Sequence, residues 1–452
     1  MKKILKSNVF LIIVTAFIVS SISVYAVNTY KASDVVYNAS DGTSKNVNDA
    51  ITELYNDNID IGGCSSKVTP ILGIGMIPVI ISDNGTVTYA DTNSNWYNYC
   101  DKKWANAVIL SSGSYSVGDT IPESSIQSYF VWIPRYRYKL WNTGTASKTA
   151  HSIEIEFETK DTTPSTGSNN GEWLTHPAFT SFNSNGFWIG KFETGYNGAT
   201  STSAAQVNSS DTSKVIIKPT VYSWRGITVG NIFLTSYNYK RNLDSHTMKN
   251  TEWGAIAYLS HSVFGINRKI NINNNSSYKT GYSALPSTDQ HTYPGTYGDG
   301  SSYNSTYNTA IGYLASTTGN ITGVYDMSGG AWDFVAGYIS GNTGSSGLTT
   351  TNYDSKYFDV YNTSSSKTSY QYRILGDATG EMGPFKNYSD GDNSSRNHSS
   401  WYVNYSNFIV SSATWFCRGG RYFYGGLAGQ FNFDNDPGGA SEYLAFRIVL
   451  TP

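Results

Sequence analysis

The sequence predicts an α+β protein with few regular elements and long loops, and three observations carry that reading. Short β-branched and aromatic runs such as Ile77–Ser82, Phe130–Trp141 and Phe187–Thr194 recur between turn residues, the pattern of strands. One segment, Thr251–Ser260, places Trp253, Ile256, Ala257 and Leu259 at helical spacing behind a capping threonine. Between them lie stretches rich in Ser, Thr, Asn and Gly at 160–171, 196–214, 271–310, 339–370 and 386–399. Loops that long are uncommon in a compact domain unless they serve function or move.

Residues 1–26 have the build of an export signal. Lys2, Lys3 and Lys6 precede an apolar core from Val9 to Val19, and Val24-Tyr25-Ala26 offers a small residue for cleavage. Extended to Val27, the same stretch approaches the roughly 20 residues that span a bilayer, so an uncleaved membrane anchor is the rival reading. Either way the bulk of the chain faces outward, secreted or on the cell surface.

Residues 27–61 read as a spacer or stalk, with Val47, Ile51, Leu54 and Tyr55 at helical spacing and Asn46 or Asn48 as cap. This piece resembles a segment of phage tail-fibre and bacterial surface proteins that acts as a stalk or assembly element, which would allow an oligomer through it; a spacer is the favoured reading. From 62 to 125, Asn84-Gly85 between apolar alternations signals a hairpin, and a small β module is expected there. Residues 126–452 then form the main domain.

Only 14% of the 452 residues are charged, against about 25% in typical soluble proteins. The aromatic fraction of 15% compensates, because each ring brings much area to a core. The formal net charge is −2 and no basic stripe is present, which argues against nucleic-acid partners. Three cysteines, Cys64, Cys100 and Cys417, are too few for a disulfide framework. Cys64 and Cys100 either pair with each other or remain thiols. No Cys/His set has zinc spacing, and no metal or other cofactor is expected.

The most informative stretch is the last forty residues. Trp415-Phe-Cys-Arg-Gly-Gly-Arg-Tyr-Phe-Tyr-Gly-Gly-Leu-Ala-Gly-Gln-Phe-Asn-Phe and, further on, Phe446-Arg447 place Gly- and Arg-rich pieces around Tyr, Phe, Asn, Asp, Ser and Glu. That is the composition of a recognition surface on a fixed scaffold.

Several pieces resemble, in order, the sulfatase-modifying-factor (formylglycine-generating enzyme-like) branch of the C-type lectin fold. They are Phe187-Trp-Ile-Gly-Lys-Phe-Glu-Thr, Met248-Lys-Asn-Thr-Glu-Trp-Gly-Ala-Ile-Ala, Thr318-Gly-Asn-Ile-Thr-Gly-Val-Tyr-Asp-Met-Ser-Gly-Gly-Ala-Trp-Asp333, Arg418-Gly-Gly and Phe446-Arg447. The resemblance implies a C-type-lectin-like domain over roughly 126–452, with Arg418, Arg447 and the glycine pairs as scaffold. In the enzymes of that branch two cysteines after Arg-Gly-Gly bind copper; here Arg421 to Phe433 contains none, and Cys417 precedes Arg418. A lone thiol cannot supply the two-sulfur site that soft Cu(I) prefers. The family's calcium signature is also thinned, with Gly330 in place of its Asn and Asp333 in place of its Glu.

The tail is similar, more closely, to the variable proteins of diversity-generating retroelements and their non-diversified surface relatives. It matches at Trp415, Arg418, Gly419, Gly420, Tyr422, Gly425, Ala428, Gly429, Phe431, Phe433, Gly438, Ala440, Phe446 and Arg447. That resemblance implies that the intervening residues meet ligand: Arg421, Phe423, Tyr424, Leu427, Gln430, Asn432, Asp434, Asn435, Asp436, Ser441, Glu442, Tyr443 and Leu444. Strand alternation agrees in part, placing Phe431 and Phe433 inward and Gln430, Asn432 and Asp434 outward. Asp434, Asp436 and Glu442 would make the surface acidic, suited to a basic or hydroxyl-rich partner.

The function expected is that of an exported surface binding protein for a protein or glycan, without catalysis. An oxidising enzyme of the formylglycine-generating branch and a structural surface or fibre-tip component are the alternatives.

Overall fold

The computed structural model describes residues 69–141, 150–271, 305–361 and 401–452 apart from Asn95, Ser406 and Phe423, together with Ser283 and the backbone of short strands at Val36–Asn38, Ser44–Asn46 and Tyr278–Lys279. The chain divides into two compact units, Met1–Ile61 and Gly62–Pro452. Of the first, an antiparallel pairing of Val36–Asn38 with Ser44–Asn46 is described. The expected export signal and helical run Val47–Tyr55 lie outside the described residues. Among the described residues no helix is long and apolar enough to cross a membrane.

The second unit is α+β and rich in sheet. Its main sheet has seven antiparallel strands in the order His246–Thr247, Ile448–Leu450, Gly186–Gly190, Ile126–Pro134, Asn106–Leu110, Met76–Ile81 and Val87–Tyr89. A second sheet is built on Trp332–Ile339, which pairs in parallel with Asp359–Tyr361 and Leu444–Phe446 and antiparallel with Trp415–Arg418; Phe433–Asp436 adds antiparallel to Trp415–Arg418. Leu444–Phe446 sits in this sheet and Ile448–Leu450 in the other, so the chain end joins the two.

The hairpin at Asn84-Gly85 forms as expected, with Gly85 at φ 88° and the Gly85 amide donating to Ser82 O at 2.7 Å. The separate β module expected at 62–125 does not form. Its strands belong to the main sheet, and the boundary at 125/126 falls where Asn106–Leu110 pairs with Ile126–Pro134. The cause is a shared core: Trp96 stacks on Trp188 at 6.3 Å, and the Trp104 indole donates to Phe264 O at 2.8 Å. Lys191, fully buried, donates to Asn106 Oδ1 at 2.9 Å, Ile321 O at 2.6 Å and Gly323 O at 2.9 Å. It thereby pins the loop before Asp326 to the sheet.

The Phe130–Trp141 run splits after Pro134. Tyr136–Lys139 enters a three-stranded sheet between Ile155–Phe157 and Trp173–Thr175. At the break the buried Arg135 guanidinium meets Glu158 Oε1 and Phe179 O, both at 3.0 Å. Cys100 is half of a disulfide, Cys417 is a buried free thiol, and Cys64 lies outside the described residues.

Two α-helices are described: α1, Val229–Tyr239, and α2, Asn250–Ser260. Helix α2 starts one residue before the expected cap. Glu252 accepts the Lys249 amide at 2.8 Å, while the Thr251 amide donates to Asp359 Oδ2 at 2.7 Å. Lys249 is thus the cap in place of Thr251, and a neighbouring strand satisfies the unpaired Thr251 amide of the first turn. All eleven residues of α2 are buried.

Trp104, Trp132, Trp188, Trp224, Trp253, Trp401 and Trp415 are fully buried. Each removes on the order of 200 Å² from water, on the order of 5 kcal/mol of apolar transfer. Rings of that size let a chain with much irregular backbone close a core.

Candidate functional site

Two glycine pairs set the frame. Gly329 and Gly330 lie at φ 83° and 72°, Gly419 and Gly420 at φ 84° and 73°, a region closed to most side chains. The Gly329 amide donates to Gly419 O at 3.1 Å, the Gly429 amide to the same oxygen at 2.9 Å, and the Tyr422 amide to Gly330 O at 2.8 Å. A Cβ on Gly420 would stand 2.6 Å from Ala428 Cα, where backbone must move. Gly420→Ala should therefore lower the unfolding free energy by about 2–4 kcal/mol, measured by urea denaturation. A loss under about 0.5 kcal/mol would mean the turn is not fixed.

Two buried arginines brace this frame. Arg418 donates to Asn250 Oδ1 at 3.0 Å and lies over Trp253 and Phe433, tying the Trp415–Arg418 strand to α2. Arg447 donates through Nε to Asp333 Oδ2 at 2.8 Å and through a terminal nitrogen to Gly190 O at 3.3 Å. Beside it Glu193 accepts the Ala331 amide at 2.8 Å and the Ser223 hydroxyl. Burial, with Asp333 and Asp326 adding to it, pushes the Glu193 carboxyl well above its usual range. Burial likewise raises Asp333 to about 6 despite Arg447.

On this frame Arg421 sits among three rings. Its guanidinium carbon lies 4.8 Å from the Trp332 ring centre, 4.7 Å from Tyr424 and 4.3 Å from Tyr443. Trp332 meets Tyr424 edge-on at 4.9 Å, and the Trp332 amide donates to Tyr443 O at 2.9 Å. Arg225, fully buried, holds the far side by donating to Glu442 O and to Thr202 O. The Gly226 amide adds a bond to Ser441 O at 2.8 Å. Arg421, Tyr424, Ser441, Glu442 and Tyr443 are all half-buried, and Leu427 is 44% exposed. Such an arrangement can offer a planar cation and ring edges to an incoming group, each cation–π contact worth about 0.5–2 kcal/mol.

The remaining expected contact residues lie elsewhere. Gln430, Asn432, Asp434 and Leu444 are buried, so the expectation that the first three face solvent is corrected. The reason is local: strand pairing starts only at Phe433, and residues 429–432 form a turn beneath Asn404 and Tyr405. Gln430 gives its carbonyl to the Trp253 indole at 2.8 Å, and its side-chain oxygen accepts from Ser260 Oγ at 3.2 Å. Asn432 donates to Leu427 O at 2.9 Å. Asp434 accepts from Asn407 Nδ2 at 3.1 Å and from the Asn435 amide at 2.8 Å. Leu444 opens the buried parallel strand beside Trp332.

Asn435 and Asp436 are half-buried and locally engaged, to Phe408 O and from the Gly438 amide respectively. Phe423 lies outside the described residues. The acidic surface is corrected in part, with Glu442 left half-buried at its edge. Asp434 is turned in, Asp436 is bound to backbone with burial pushing its carboxyl up, and Arg421 supplies the cation among the half-buried residues.

Sequence reasoning missed Trp332 as a wall of the cluster and Arg225 as its support. Trp332 carried a signal, since it follows the glycine pair that positions Tyr422. Arg225 carried none, because 217 residues separate it from Glu442. Cys417 is buried, and desolvation with Asp434 and Asp436 pushes its thiol well above the usual value. It packs as an apolar group, since reactivity needs the thiolate. Among the described residues no group of three or more His, Cys, Asp or Glu could hold a metal ion. No protein-family model matches the chain, and no curated protein matches it.

Proposed function

We propose that residues 126–452 form a C-type-lectin-like domain of the sulfatase-modifying-factor type, similar to the variable proteins of diversity-generating retroelements. In this reading the protein is exported, secreted or held at the cell surface by its N-terminus. It captures a protein or glycan without catalysing a reaction on it. The observation that carries the reading is the half-buried Arg421 set among Trp332, Tyr424 and Tyr443 on a glycine-and-arginine frame. Aromatic and arginine side chains in such settings dominate binding energy at protein surfaces. Contact is assigned to Arg421, Tyr424, Leu427, Ser441, Glu442 and Tyr443, with the buried Trp332 backing them from the frame. Gln430, Asn432, Asp434, Asn435, Asp436 and Leu444 belong to the frame.

The test is an array of defined glycans and purified surface proteins, probed with the wild type and with Arg421→Ala/Tyr443→Ser. The double variant should lose capture by about two orders of magnitude. Its unfolding free energy should drop by only about 1–3 kcal/mol, because the side chains are half-buried. Equal capture by both proteins would remove these residues from ligand duty. A solution oligomer that buries them against sister chains would favour the structural alternative.

A further inference from the structure

A second site lies within the main sheet and shares no residue with the Arg421 cluster. A cavity of about 390 Å³ opens where the Met76–Ile81 strand begins, between the Ile74-Gly75 turn, the end of Asn106–Leu110 and the 113–115 loop. Small-molecule sites begin at roughly this size, and here the side chains of Ile74, Ile77, Leu110 and Tyr115 alternate with exposed polar atoms.

We propose that this cavity binds a small amphiphile with a single carboxylate, its apolar body against Ile74, Ile77, Leu110 and Tyr115 and its head on the Lys240 ammonium. Three observations support it. The lining contains one charged side chain, Lys240. Among the described residues its Nζ makes no ion pair or hydrogen bond and lies 5.4 Å from the centre of the Tyr239 ring. Ile74 is 86% exposed, the most exposed large apolar residue described, while Ile77, Tyr89, Leu110 and Tyr115 remain half-open beside it.

Apolar area left in water next to an unpaired cation favours a ligand that covers the first and neutralises the second. The C-terminal end of α1 attracts a cation by itself, so the lysine alone does not make the site. The exposed Ile74 and the half-open Ile77, Leu110 and Tyr115 beside it do. A neutral amphiphile would gain only the apolar part, and a short hydrophilic anion only the charge.

The test is calorimetric titration of the full chain with decanoate and, for comparison, decanol, both below their aggregation limits. The wild type should bind decanoate saturably and decanol more weakly. Lys240→Met should weaken decanoate by about tenfold or more, the order of one charge-assisted contact, and leave decanol within about twofold. Ser114→Trp, on the exposed rim, should close the cavity to both. Near-ultraviolet circular dichroism checks that each variant is folded. The proposal falls if the wild type shows no saturable decanoate binding or if Lys240→Met binds decanoate as the wild type does. It falls as well if the ligand-free protein self-associates and Ser114→Trp abolishes that association, which would give the cavity to a second copy.

Discussion

Arg447→Met should cost about 3–5 kcal/mol of stability at pH 8 and markedly less at pH 5, measured by urea denaturation at both values. Arg447 and Asp333 are fully buried and paired at 2.8 Å, with Glu193 and Asp326 buried nearby. Arg447 therefore bonds Asp333 and favours the charged form of Glu193, while Asp326 works against both. Burial raises Asp333 to about 6 and Glu193 well above its usual range, and Arg447 restrains both. A carboxyl whose folded pKa is raised stabilises the fold below its unfolded value and loses that contribution as pH climbs through the folded value. For Asp333 the window runs from 3.8 to about 6. Methionine keeps the apolar bulk and removes the restraint, so both carboxyls rise further. At pH 5 they keep their protons and the missing cation matters little; at pH 8 ionisation becomes costly. Equal losses at both pH values would show that Arg447 acts by packing alone.

Arg418→Ala should unfold the binding frame or lower the unfolding free energy by about 3–4 kcal/mol, with Arg418→Lys recovering less than half. The guanidinium is fully buried between Trp253 and Phe433, at 5.5 and 5.8 Å from the ring centres. It also gives a charge-assisted bond to Asn250 Oδ1, whose amide in turn donates to the Tyr361 hydroxyl at 3.0 Å. Alanine would leave a cavity, an orphaned Asn250 oxygen and a weaker link from α2 to the second sheet. Lysine keeps the charge but cannot fill a planar slot between rings. Thermal melts followed by far-ultraviolet circular dichroism read the loss, and a melting temperature within a degree of wild type would mean the frame is held elsewhere.

Local chemistry was legible where one segment decides its own conformation. The Asn84-Gly85 hairpin, the α2 periodicity and the glycine pairs follow from turn geometry and helical spacing, which neighbours cannot easily override. Helix α1 was not legible. Its sequence, Val-Gly-Asn-Ile-Phe-Leu-Thr-Ser-Tyr-Asn-Tyr, is rich in β-branched and aromatic residues and poor in helix formers. Its helicity follows from burial of Ile232, Phe233 and Tyr239 and from the Thr228 cap, which accepts the Asn231 amide at 3.3 Å. The 62–125 segment failed in the opposite way: its strands were legible and their sheet was not, since pairing partners are set by distant residues.

The candidate site divides along the same line. The amino-acid order alone determined that Arg421, Tyr424 and Tyr443 lie between fixed glycine and arginine pieces, because those residue types impose backbone and fork geometry wherever they stand. Only the tertiary structure decided that Gln430, Asn432 and Asp434 turn inward, Gln430 against Trp253 and Ser260 and Asp434 against Asn407, and that Trp332 completes the ring cluster. Exposure is a property of what covers a side chain, and here the cover comes from segments tens to hundreds of residues away.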